Sequence, residues 1–198
     1  MLTKVQQRTN SYRLLADCYY PPDDELIRKI AEAACTNPFF AELTCHVPPT
    51  VELEAMKVDH ARLFVGPYRL LAPPYGSVYL EDSGVMGDST LDVRSYYESE
   101  GLDTVIKEAP DHIAVELEFV YYLMTKQIRA IRDEDLQMLQ SCQKKQYSFL
   151  QTHLGRWLPG FVERVQENAQ TEFYRTLSKL TRELIERDVR DCSSCSAV

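Results

Sequence analysis

The sequence predicts an all-α protein, a helical bundle of about seven to nine helices, and three features predict it. Only seven glycines occur in 198 residues, and Leu, Glu, Ala, Lys and Arg dominate the long segments, the residues that lose least on entering a helix. Apolar residues recur at spacings of three and four, the period of a buried helix face. No stretch alternates apolar and polar residues between hairpin turns, as a sheet would need.

The first helix covers about Gln6 to Tyr20 and is closed by Pro21-Pro22, because proline lacks an N–H and its ring clashes with the preceding turn. Asp23 suits the N-cap of the second, which runs to about Thr36 ahead of Pro38. The third starts near Thr50 and carries Val51, Leu53, Met56, Ala61 and Leu63 into Phe64. The fourth spans about Ser89 to Glu100, with Asp88 as its cap and Gly101 as its stop.

The fifth is the most apolar. From Pro110 or Asp111 it sets Ile113, Leu117, Val120, Met124, Ile128 and Ile131 on one face and Val115, Phe119 and Tyr122 on another. A helix apolar on two faces belongs in the middle of a bundle. The sixth covers about Glu134 to Leu154 and ends at Gly155. A short helix follows Pro159, and Phe173, Leu177, Leu180 and Leu184 define a last amphipathic one.

Residues 1–198 are expected to form one domain. A division into lobes 1–101 and 110–191, hinged at 102–109, is the alternative arrangement, with 192–198 as a mobile tail. The connection from Phe64 to Asp88 holds four of the seven glycines, three prolines and Tyr68, Tyr75 and Tyr79. A loop of that length in a small domain points to a binding segment, and three tyrosines argue against simple disorder.

A net charge of −8 and the lack of a basic stripe speak against nucleic acid as a partner. No stretch approaches the roughly 20 apolar residues of a membrane span, and Met1 to Asn10 has no apolar run of a signal peptide. A cytoplasmic location without stable membrane insertion is expected. Cys18, Cys35, Cys45 and Cys142 read as free thiols in a reducing compartment. The Cys192-x-x-Cys195 pair lacks the further ligands a zinc site needs.

Charged groups gather where the fifth helix begins: Glu108, Asp111 and His112, with Glu116 one turn later. Asp111 in a first helical turn would complement the helix dipole, with Pro110 at the first position. That leaves His112 unexplained, so a structural and a functional role stay open. Asp59-His60 is a second such pair. Two Asp–His pairs suggest a helical metal-dependent phosphohydrolase. Against it, the chain holds only His46, His60, His112 and His153, with none in an H-x-x-x-H or E-x-x-H spacing. No metal site is expected. The G-x-S-x-G, P-loop and G-x-G-x-x-G motifs are also absent, so no catalytic residues, no cofactor and no enzymatic activity are expected.

Ala61-Arg62-Leu63-Phe64-Val65-Gly66-Pro67, followed by Pro73-Pro74-Tyr75-Gly76-Ser77-Val78-Tyr79, resembles the R-L-F-x-G-P … P-P-Y-x-S-x-Y signature of the TorD/DmsD/NarJ chaperones. Glu108-Ala109-Pro110-Asp111-His112 with Glu116-Leu117 resembles the family's E-P-x-D-H-x-x-x-E-L motif, with the proline shifted by one place. His153-Leu154, Trp157-Leu158-Pro159 and Phe161 are similar to a third family pattern.

The resemblance implies a system-specific chaperone that binds the twin-arginine signal peptide and body of a molybdenum-cofactor enzyme, assisting cofactor insertion and delaying export. It implies client contacts at Arg62, Leu63, Phe64, Gly66, Pro67, Tyr75, Ser77, Tyr79, Glu108, Pro110, Asp111, His112 and Glu116. Guanidinium groups seek carboxylates, which Glu108, Asp111 and Glu116 would supply; Leu63, Phe64, Tyr75 and Tyr79 would line an apolar groove. Phe64 taken alone, an aromatic ending a helix, reads as core ahead of groove. A monomer or a domain-swapped dimer fits the flexible connection. The phosphohydrolase, and a permanent structural subunit of a respiratory complex, remain the alternatives.

Overall fold

The architecture is taken from a computed structural model, which describes residues 2–47, 53–67, 69–81, 87–102 and 108–195. It is all-α, with seven helices of twelve residues or more among the described residues: α1 (Leu2–Cys18), α2 (Asp24–Thr36), α6 (Asp88–Ser99), α7 (Ile113–Arg132), α8 (Leu136–Phe149), α9 (Gly155–Asn168) and α10 (Glu172–Cys195). Between α2 and α6 lie the shorter α3 (Ala41–Cys45), α4 (Leu53–His60) and α5 (Ser77–Leu80). π-helical turns at Ala61–Val65 and Leu150–Leu154 extend α4 and join α8 to α9.

The two-faced apolar pattern of α7 places it at the centre, where α1 packs on one side and α8 on the other. Leu117, Val120, Leu123 and Met124 are fully enclosed. Helix α10 closes the bundle against α9 and also meets α1, α3 and α8. One cluster of buried side chains runs from Tyr12 to Ile185. Of the expected 102–109 hinge, residues 103–107 lie outside the described residues, as do the start expected near Thr50 and Tyr68 of the long connection.

Several boundaries differ from the sequence reading. The expected N-cap Asp23 is in place, its carboxylate accepting from Leu26 N at 2.8 Å. Gly87 takes the N-cap of α6 in place of Asp88, and Glu81 from α5's end accepts Ser89 N at 2.7 Å. Gly155 does not end the sixth helix; the chain passes through the π turn into α9 without a break. A Cβ at Gly155 would lie 2.5 Å from the Leu150 carbonyl, so glycine lets that wide turn close on itself. Pro159 sits inside α9 as its fifth residue and does not precede a separate short helix. Helix α10 continues to Cys195, because no glycine or proline follows Leu184 to stop it, so the expected tail from 192 is helical as far as Cys195.

Candidate functional site

The Tyr-rich connection and the entry to α7 are stitched together by backbone. Ile113 N donates to the Pro74 carbonyl at 2.8 Å and Gly76 N to the Asp111 carbonyl at 2.9 Å. These bonds form the isolated antiparallel bridge between Tyr75 and His112. The Asp111 carboxylate then accepts Ser77 N at 2.9 Å, at the head of α5. Tyr97 of α6 donates its hydroxyl to the Pro110 carbonyl at 2.8 Å.

Asp111 was expected in the first turn of α7, but that helix starts at Ile113. Asp111 lies in a turn closed by His112 N on the Ala109 carbonyl at 3.0 Å, and extended His112 is the N-cap, its Nδ1 accepting Ala114 N at 3.2 Å. Asp111 is buried. One of its oxygens has no hydrogen-bond partner among the described residues.

Beneath the bridge, Glu116 is fully enclosed and accepts the Trp157 indole N–H at 3.2 Å. Burial, with the neighbouring Asp111 carboxylate adding to it, holds the Glu116 carboxyl well above its ordinary pKa, against the opposing indole hydrogen bond. Tyr79 stacks on Trp157 with centroids 5.6 Å apart, and its hydroxyl donates to the Pro73 carbonyl at 2.9 Å. Gly76 fits because it has no side chain: a Cβ there would lie 2.9 Å from Trp157 Nε1 and 3.3 Å from Glu116 Oε1. Its backbone is helical, so alanine would bring no conformational strain, only overpacking. Gly76→Ala is expected to lower stability by about 1–3 kcal/mol; unchanged thermal unfolding would contradict this close packing.

Above the bridge, the site meets solvent. The His112 ring stacks on Tyr20 (6.1 Å, 14°) and meets Tyr75 edge-on (5.4 Å, 69°). Burial drives its pKa down to about 4, with Asp111 opposing and His60 adding to the fall. Glu108 is exposed, and Tyr20 and Tyr75 are half-buried. Burial first, and then the carboxylates of Glu118 and Glu108, push the Tyr20 phenol up to about 12; burial, Glu108 and Asp111 raise that of Tyr75. Glu118 stands beside Tyr20, its carboxylate 3.5 Å from the phenol oxygen. The result is an acidic, aromatic rim around a buried imidazole.

The structure thus brings together Tyr75, Ser77, Tyr79, Pro110, Asp111, His112 and Glu116, and sets Glu108 at their edge. It does not bring Leu63 and Phe64 there as an exposed groove. Both are core, with Phe64 ringed by Tyr19, His60, Phe161 and Tyr174. Arg62 instead pairs with Asp59 at 2.8 Å, and Gly66 and exposed Pro67 follow the π turn.

The two Asp–His pairs do not converge on a common point. Asp59 accepts from Gln170 N, Thr171 N and the Thr171 hydroxyl at 2.8–2.9 Å, and His60 Nε2 lies 3.1 Å from the Tyr19 carbonyl. Among the described residues no three His, Cys, Asp or Glu side chains gather as metal ligands would.

The sequence reading missed Tyr20, Glu118 and Trp157 as site members. Glu118 follows Glu116 by two residues, about 200° around a helix, so the two point to opposite sides. Only the rotational setting of α7 tells which carboxylate faces water.

Residues 18–163 match a family model described as nitrate reductase delta subunit. The chain is 27% identical to the Tat proofreading chaperone DmsD of Salmonella typhi, over 83% of its own length and 79% of that protein. It is 29% identical to the chaperone protein TorD of Vibrio parahaemolyticus, over 63% of its length and 58% of that protein. A crystal structure described as a redox enzyme maturation protein, from Archaeoglobus fulgidus, superposes with a TM-score of 0.59 at 26% identity, covering 90% of this chain and 93% of that one. No helix among the described residues is long and apolar enough to cross a membrane.

Proposed function

Because the chain belongs to the nitrate reductase delta subunit family, we propose that it is a system-specific assembly chaperone for a molybdenum-cofactor oxidoreductase. It binds the twin-arginine signal peptide and body of the apo-enzyme in the cytoplasm, assists cofactor insertion, delays export and performs no catalysis itself. The names of its relatives support this reading: one is a Tat proofreading chaperone, another a chaperone protein.

The observation that carries the site is the division of carboxylates. Asp111 and Glu116 are enclosed and hold the bridge together, whereas Glu108 and Glu118 face outward beside Tyr20 and Tyr75. Guanidinium groups pair bidentately with carboxylates and lie over aromatic faces, which this rim offers together. Asp111, His112, Glu116, Ser77 and Pro110 act by positioning the rim. Tyr75 and Glu108 touch the peptide, and Arg62, Gly66 and Pro67 meet the client's body.

Fluorescence anisotropy with a labelled twin-arginine signal peptide tests the reading. Glu108→Gln and Glu118→Gln are each expected to weaken binding about tenfold or more, since a charge-assisted hydrogen bond is lost. Both side chains are solvent-accessible, so circular dichroism stays unchanged. A twin-lysine peptide binds more weakly because an ammonium lacks the planar fork. Absence of binding by the unaltered protein would sink the proposal.

A further inference from the structure

One guanidinium already occupies the rim. Arg13 of α1 reaches across to α7, its Nη1 3.4 Å from Glu118 Oε1 and its guanidinium 5.8 Å from the centre of the Tyr121 ring. Tyr20 flanks the same carboxylate. A carboxylate with an aromatic face beside it is the arrangement that an arginine of a client would seek. Resting on the functional reading above, we propose that Arg13 is a resident occupant of one client-arginine seat, so that binding is an exchange of one guanidinium for another.

Three features make Arg13 displaceable. Its contact with Glu118 is long, single and half-exposed, the kind of surface pair that contributes little. Arg13 has a second carboxylate to keep, Asp17 one turn along α1 at 3.4 Å, so leaving Glu118 does not strand its charge. The side chain also borders a cavity of about 520 Å³ between α1, α2 and α7, lined by Asn10, Leu14, Phe40 and Tyr121 among others, which gives it room to swing aside. Lys29 of α2 bonds the other Asp17 oxygen at 3.0 Å and so holds that carboxylate in place beside Arg13. Arg13 therefore sets a threshold: a ligand that makes one monodentate contact gains little over the resident pair, whereas a bidentate arginine on Glu118 gains the difference.

The test is anisotropy with the same twin-arginine and twin-lysine peptides on four variants. Arg13→Ala is expected to tighten binding of both peptides about two- to fivefold, the range that loss of one exposed ion pair implies. The preference for arginine over lysine should stay as it is, because displacing Arg13 costs either peptide the same. Arg129→Ala removes the same charge about 16 Å further along α7 from Glu118, where Arg129 pairs with Asp133, and so measures the gain from net charge alone. Adding Glu118→Gln to Arg13→Ala should abolish the gain, which a double-mutant cycle reads directly.

A gain no larger than that of Arg129→Ala, a loss of affinity in Arg13→Ala, or a gain that survives Glu118→Gln would each overturn the exchange while leaving the chaperone reading intact. Failure of both the unaltered protein and Arg13→Ala to bind either peptide would overturn that reading, and the exchange with it.

Discussion

Asp59→Ala is expected to remove about 2–4 kcal/mol of stability, because a buried carboxylate loses its charge-assisted hydrogen bonds to the start of α10 and to Arg62. The carboxylate is fully enclosed at the end of α4. It accepts Gln170 N at 2.9 Å, Thr171 N at 2.8 Å and the Thr171 hydroxyl at 2.9 Å, all on the turn that starts α10, and pairs with Arg62 at 2.8 Å. An N-cap is ordinarily supplied from the residue next to the helix; here it comes from more than a hundred residues away. Alanine would take the acceptor from two backbone donors and a hydroxyl on the partly exposed turn at Gln170 and Thr171, and would free Arg62. In a chain of this size the melting temperature should fall by about 10 °C. Asp59→Asn, which keeps an oxygen acceptor but no charge, should fall in between. Melting followed by circular dichroism decides: a loss under about 1 kcal/mol for the alanine variant would mean that α10 is held by its apolar face alone.

Acidification from about pH 6.5 to about pH 4 should cost up to about 3 kcal/mol through His112 alone. Its native pKa is down at about 4, while in the unfolded chain the imidazole titrates near its ordinary 6.5. Between those values the unfolded state binds a proton that the native state refuses, so stability falls as pH falls, and the loss is complete below pH 4.

Glu116 has the opposite sign. Its native pKa is raised well above 4.5, so the native state keeps a proton that the unfolded chain releases, and stability falls as pH rises above 4.5. Glu116→Gln removes this penalty while still offering Trp157 an acceptor, and its amide carries no charge to repel Asp111. It should therefore be more stable than the unaltered protein at pH 8, and the advantage should vanish towards pH 4. His112→Gln should flatten the acid limb between pH 6.5 and 4. Other buried groups shift too, His60 and His153 downwards and Asp188 upwards, all chiefly through burial. Urea unfolding at a series of pH values, read as the difference between each variant and the unaltered protein, cancels their contribution. Parallel pH profiles for Glu116→Gln and the unaltered protein would show that the carboxyl is not held protonated.

The helices were legible wherever their signals are local. Asp23 caps α2 because a short carboxylate beside a helix start meets its free N–H groups, and the double-faced apolar run of 113–131 places α7 in the middle without any tertiary knowledge. The Gly155 stop failed for an equally local-looking reason. Glycine ends a helix when the chain needs a left-handed residue, but here φ is −68° and the small side chain answers a contact with the Leu150 carbonyl across a π turn. Phe64 read as either groove or core, and four aromatic neighbours, Tyr19 just past α1, His60 of α4, Phe161 of α9 and Tyr174 of α10, make it core.

The sequence by itself determined an all-helical chain whose chemistry gathers at the Tyr-rich connection and the Glu108–Glu116 segment, because composition, period and motif spacing are properties of neighbours along the chain. Only the tertiary structure decided which of those residues face solvent. Asp111 and Glu116 are turned inward to Ser77 and Trp157, while exposed Glu108 and half-buried Glu118 lie beside Tyr20 and Tyr75, with Arg13 leaning on Glu118. A carboxylate's role depends on whether water or protein surrounds it. That is set by segments 34 to 105 residues apart in sequence meeting at one place.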